Sequence, residues 1–93
     1  MAEFLHIYIT QKAGVTRDEV EKKLSLALDW FRYDNKVYVV YTTSDVDKWQ
    51  ERLIDFIKPS GHLFICRLDI KARQGWMTKT FWNWLQKKRG AVK

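Results

Sequence analysis

Along this chain the apolar residues switch between a period of two and a period near 3.6, and the order of those switches limits what it can fold into. Phe4-Leu5-His6-Ile7-Tyr8-Ile9-Thr10 alternates and is rich in β-branched and aromatic side chains, which predicts a first strand. Gly14 falls in the loop that follows. Thr16-Arg17-Asp18-Glu19 has the form of a capping box, in which the Thr16 hydroxyl and the Glu19 carboxylate each take a free backbone donor. Val20, Leu24, Ala27 and Leu28 then recur at helical spacing, so a first helix is expected from about Thr16 to Leu28. Asp29 to Tyr33 and Lys36 to Thr43 flank Asp34-Asn35, a pair that tolerates the backbone of a tight hairpin. A β-hairpin is the preferred reading. The competing one continues the first helix through Tyr33, but aromatic residues crowd helices and favour strands.

Ser44 followed by Asp47 marks a second helix start, with Val46, Trp49, Leu53, Phe56 and Ile57 on one face and Pro59-Ser60-Gly61 at its end. His62 to Ile70 reads as a fourth strand. It is apolar on both sides, with Phe64, Cys66, Leu68 and Ile70 facing one way and Leu63 and Ile65 the other, which predicts a central position in the sheet. Lys71 to Gly75 is a basic turn, and Thr78 caps a last helix. The order β-α-β-β-α-β plus a C-terminal helix predicts an α+β fold, most economically a ferredoxin-like sandwich. Residues 1–93 are expected to form one domain, with a core over 1–70 and a C-terminal extension over 71–93. Two helices would cover one face of a four-stranded antiparallel sheet, leaving the other to the last helix or to a second subunit.

No apolar run approaches the ~18 residues that a membrane span needs, and the N-terminal residues do not resemble a signal peptide. One cysteine, Cys66, excludes an intrachain disulfide, and with His6 and His62 it cannot supply a structural zinc site. A cytoplasmic setting with no membrane contact and no cofactor is the simplest expectation. The net charge is +6, distributed unevenly. Residues 1–70 carry 10 Lys/Arg against 11 Asp/Glu, whereas residues 71–93 carry seven Lys/Arg and no acid.

Those cations alternate with large aromatic residues. Lys71, Arg73, Lys79, Lys87, Lys88 and Arg89 are of the type that neutralises phosphates and releases counterions, and Trp76 and Trp82 are of the type that stacks on bases. The pattern therefore points to a non-catalytic binder of DNA or RNA. The same residues suit a protein-binding module, a small inhibitor or adaptor acting on an acidic or nucleic-acid-binding surface, because Trp and Arg are favoured interface anchors. A structural use competes with both: Phe81, Trp84 and Leu85 would pack the last helix onto the domain while its cations stay solvated. Trp76 and Trp82 fall off that inner face.

Other constellations point to chemistry less strongly. His6 titrates near neutrality and has the character of a general base, but a histidine on a sheet surface or beneath the last helix is commoner. His62 belongs to a turn, and Cys66, in the most apolar strand, is expected to be buried and inert. Asp45, Asp47, Glu51 and Asp55 are interspersed with Lys48, Arg52 and Lys58, the pattern of a solvated helix face with ion pairs. Tyr33, Tyr38 and Tyr41 would form either an aromatic strip or cross-strand pairs. No phosphate loop, Ser/His/Asp set or metal motif is present.

In element order and in loose patterns the chain resembles the small CRISPR-associated adaptation nucleases and the SinR-like proteins related to them. The patterns are a strand ending in Thr42-Thr43-Ser44 that runs into a helix, Trp49-x-x-x-Leu53-x-x-x-Ile57, and Leu63-Phe64-Ile65-Cys66. The resemblance covers roughly residues 4–70. It implies a ferredoxin-like fold, a dimer formed through the sheet and a function on nucleic acid. It also implies a metal-binding carboxylate near the end of strand one, but Ile7-Tyr8-Ile9-Thr10-Gln11-Lys12 has no acid to hold the ion. Nuclease activity is therefore not expected.

Overall fold

A computed structural model describes residues 2–87. Strand β1 (Glu3–Thr10) leads to helix α1 (Arg17–Leu24), the hairpin of β2 (Asp29–Asp34) and β3 (Val37–Thr42), helix α2 (Val46–Leu53), strand β4 (His62–Leu68) and helix α3 (Lys79–Gln86). The four strands form one sheet in the order β2-β3-β1-β4, with every neighbouring pair antiparallel. The protein is thus a small α+β fold.

Helices α1 and α2 cover one face. Leu5, Ile7 and Ile9 of β1 and Tyr38 and Val40 of β3 point towards Val20 and Leu24 of α1 and Trp49 and Leu53 of α2, all buried. The opposite face buries Phe4, Val39 and Tyr41 beneath Phe81 and Leu85 of α3. The period-two pattern of β1 and β3 feeds both layers at once, which is why these two strands are central. The buried Thr42 hydroxyl is satisfied: the Trp49 indole donates to it at 3.1 Å, and it also accepts from the Ser44 amide at 3.0 Å.

The helix starts follow the sequence closely. Both hydrogen bonds of the Thr16–Glu19 capping box form, and the Thr78 hydroxyl accepts from the Phe81 amide. Helix α2 is capped by Asp45, whose carboxylate accepts from the Lys48 amide at 2.9 Å, rather than by Ser44. The hairpin forms as expected, with a register shift between Arg32 and Asp34.

Further expectations are corrected, among them the end of strand four, which stops at Leu68 rather than Ile70. Helix α1 stops at Leu24 instead of Leu28, because the Leu28 amide is taken by the Tyr41 carbonyl at 2.9 Å as the chain turns into β2. Leu26 and Leu28 are left exposed. Strand β4 is not central but an outer edge, paired only with β1. The three tyrosines do not make one strip: Tyr38 enters the α1/α2 layer, while Tyr41 and Tyr33 belong to the α3 layer. Residues 38 and 41 differ by an odd number, and a strand sends such residues to opposite faces.

Gly61 joins the end of the α2 segment to β4, where a Cβ would collide with the Thr10 carbonyl oxygen. The adjoining Thr10 hydroxyl accepts from the His62 amide at 2.9 Å. This turn brings β4 back antiparallel to α2 and aims its far end at the segment that carries the candidate site.

Candidate nucleic-acid interface

After Leu68 the chain leaves the sheet in a turn held by Asp69, whose carboxylate accepts from the Lys71 amide at 3.1 Å and whose carbonyl accepts from the Ala72 amide at 3.1 Å. Residues 69–78 then run across the α3 side of the sheet to the Thr78 cap. Helix α3 docks through aromatic contacts: Phe81 lies 5.8 Å from Phe31 and 5.3 Å from Tyr33, and Trp84 lies 5.6 Å from Phe31, between ring centroids. Tilted and edge-on packing at such distances adds about 0.5–1.5 kcal/mol per pair beyond area burial. Phe81, Trp84 and Leu85 are therefore the structural face of α3, as their spacing suggested.

Between this loop and α3 lies a cleft of about 300 Å³. Its apolar lining comes from Val39, Leu68, Ile70, Met77, Phe81 and Leu85, with Tyr33, Arg73, Trp76 and Trp82 around it. Trp82 is half-buried, packed edge-on against Phe81 at 5.4 Å. The Arg73 guanidinium sits 6.0 Å from the Trp82 ring and donates to the Ile70 carbonyl at 3.2 Å. Trp76 is 98% exposed.

Of the residues singled out from the sequence, the structure brings Arg73, Trp76 and Trp82 together around one cleft. Lys71 occupies the same turn and Lys79 opens α3, both exposed. Asp69 is an acid on the cleft wall. Lys87 does not join them. It is at the other end of α3, about 12 Å along the axis, with its ammonium 3.5 Å from Asp29 at the start of β2. Lys88 and Arg89 lie outside the described residues.

Sequence reasoning missed Tyr33 and Met77 as parts of the cleft. The tyrosine came from an element 40 residues away in the chain, and only the hairpin register places it there.

The α3 face of the sheet also carries His6, opposite Cys66 on β4 and Val39 on β3. Its ring is 6.5 Å from Tyr33 and 6.4 Å from Phe64, and its Nδ1 is buried without a hydrogen-bond partner among the described residues. Burial lowers the His6 pKa from its ordinary 6.5. Burial first, then Asp34 and Cys66, raises that of the Tyr33 phenol. A proton on His6 would place charge among aromatic rings. The unfolded chain therefore takes up the proton first as pH falls below 6.5. Stability associated with neutral His6 is complete above that pH and declines below it. Urea unfolding at about pH 7.5 and about pH 5.5 should show a larger acid loss for the native chain than for His6→Gln. Equal losses would show that His6 is not desolvated in the fold.

Helix α2 carries the expected ion pair, Lys48 to Glu51 at 3.1 Å, on an exposed face. Among the described residues no three His, Cys, Asp or Glu side chains gather where they could hold a metal ion, and no helix is long and apolar enough to cross a membrane. Compared with known proteins, the chain matches no family model, no curated protein and no solved structure.

Proposed function

We propose that this chain is a non-catalytic nucleic-acid-binding domain that takes up single-stranded DNA or RNA at the cleft between residues 69–78 and α3. The observation that carries the reading is Trp76, 98% exposed at an apolar cleft that Arg73 and Trp82 also line. A tryptophan held wholly in solvent contributes nothing to the core, and its place at an apolar cleft gives it a use as a stacking platform. An unpaired base has the flat apolar face that such a cleft accepts. Lys71, Arg73 and Lys79, exposed in the turn and at the start of α3, would supply contacts to phosphates of the same strand. Lys87 is assigned to the seating of α3 on β2, because Asp29 already answers its charge.

The strand order β4-β1-β3-β2, with both crossover helices on one face, supports the assignment of the fold as ferredoxin-like. A relationship to the SinR-like proteins, without the metal-dependent cleavage of the nucleases among their relatives, is part of the same proposal and rests on the element order and the sequence patterns within residues 4–70.

Stacking on one tryptophan contributes roughly 1–3 kcal/mol, so Trp76→Ala should weaken oligonucleotide binding about five- to 150-fold. Its thermal midpoint should match that of the native chain, since the side chain buries almost nothing. Fluorescence anisotropy with labelled single-stranded DNA and RNA measures the first, and circular dichroism the second. Unchanged affinity in Trp76→Ala would remove the cleft from the binding site. Tight binding to an acidic protein, with none to oligonucleotides, would transfer the site to the adaptor reading.

A further inference from the structure

Asp69 is the one acid among the residues that line the cleft between residues 69–78 and α3. A carboxylate repels the phosphates that Lys71 and Arg73 would attract, so it opposes nucleic-acid binding unless it meets another part of the strand. Its place there is not explained by its cationic neighbours. Neither Lys71 nor Arg73 forms an ion pair with it, and the Arg73 guanidinium donates instead to the Ile70 carbonyl at 3.2 Å. The turn engages only one of its oxygens. Oδ1 accepts from the Lys71 amide at 3.1 Å, while Oδ2 makes no hydrogen bond among the described residues. A carboxylate has about four accepting sites on its two oxygens, so most of the capacity of this exposed side chain is left open at the cleft wall.

Stacking on tryptophan is largely blind to base identity, so selectivity at this cleft has to come from a polar group on its wall. In a single strand the Watson–Crick edge of a stacked base is free to be read. The bases present different edges to a carboxylate. Guanine offers two adjacent donors, N1–H and the N2 amino group, which match its two oxygens. Adenine and cytosine each set one amino donor beside a bare ring nitrogen, whose lone pair repels the second oxygen. Thymine and uracil offer a single N–H between two carbonyls. The cleft, at about 300 Å³, lies at the small end of ligand sites and suits one base rather than a stacked run. We infer that the cleft selects guanine, with one unpaired guanine stacked at Trp76 and its N1–H and N2 amino group donating to Asp69. The inference rests on the nucleic-acid reading above and adds to it which base the cleft holds. Asp69 then sets specificity, while Lys71, Arg73 and Lys79 keep their contacts to phosphate.

The test is fluorescence anisotropy with short thymine strands that differ at one central base. The strand with guanine there should bind about five- to 150-fold more tightly than those with adenine, cytosine or thymine, the discrimination expected of a bidentate contact. Hypoxanthine, which keeps N1–H but lacks the N2 amino group, should fall between. Asp69→Asn keeps an acceptor for the Lys71 amide and should remove the preference for guanine. Should that variant fail to fold, the comparison of strands on the native chain still decides. Equal binding of the four strands, or a guanine preference that survives in Asp69→Asn, would overturn the base assignment and leave the nucleic-acid reading standing. No binding of any strand would overturn both.

Discussion

Replacing Trp49 with alanine is expected to destabilise the fold by about 3–5 kcal/mol, the range for truncating a large buried aromatic. Trp49 is fully buried between α2 and the sheet, in the same cluster as Leu5, Ile7, Val40 and Leu53. Its removal leaves a cavity that α2, tethered at the Asp45 cap and at the Gly61 turn, cannot close by sliding. It also removes the indole donor from the buried Thr42 hydroxyl, and the ring over which the Arg52 guanidinium sits at 4.6 Å. A domain of this size has a total stability of roughly 5–15 kcal/mol, so the loss takes about a fifth or more of it. Each kcal/mol lowers the midpoint of such a domain by roughly 4–8 °C. Thermal unfolding followed by circular dichroism should therefore show a fall of well over ten degrees, or no cooperative transition. A loss under about 1 kcal/mol would mean that α2 is not seated on Trp49.

Reversing three charges, Lys71→Glu, Arg73→Glu and Lys79→Glu together, is expected to weaken single-strand binding by at least about a hundredfold near 0.1 M salt. Each phosphate neutralised on a single strand contributes about 0.7 to the slope of log affinity against log salt. Three contacts therefore contribute about two decades between 1 M and 0.1 M, and reversal adds repulsion to that loss. The slope itself should flatten by about 2. The fold should tolerate the change, because all three side chains are exposed and none of them makes an ion pair among the described residues. Surface substitutions of this kind usually stay within about 0.5 kcal/mol each. Lys87→Glu is a contrasting variant. It places a carboxylate beside Asp29, so its main effect should fall on the seating of α3 and only weakly on the salt slope.

Much of the fold was legible because local signals and tertiary needs agree. The alternation of Phe4 to Thr10, the Thr16 and Thr78 caps and the Asp34-Asn35 turn each specify a local geometry that the packed protein keeps. The misreadings occurred where long-range pairing decides. Leu28 fits a helical period, yet the Tyr41 carbonyl takes its amide, and nothing near Leu28 announces that bond. The apolar pattern of β4 states that both faces are covered but does not say whether both edges are paired, so an edge strand read as a central one.

The site divides the same way. Charge asymmetry pointed to a candidate in the last quarter of the chain, and the helical period separated Phe81 and Leu85 from Trp82. Which cations cluster depends on partners remote in sequence. Asp29 holds Lys87 away from the cleft across 58 residues, and the path of residues 69–78 leaves Trp76 in solvent while it half-covers Trp82.

The most direct measurement is the affinity of the unaltered protein for a labelled single-stranded oligonucleotide at low and moderate salt, read by anisotropy and tryptophan quenching in the same titration. Binding that quenches tryptophan and weakens with a slope of about −2 or steeper is the predicted result, since Arg73 and an exposed indole line one cleft, with Lys71 in the adjoining turn and Lys79 at the start of α3. No binding at low salt, or an affinity indifferent to salt, would contradict the assignment of this basic, aromatic end to nucleic acid.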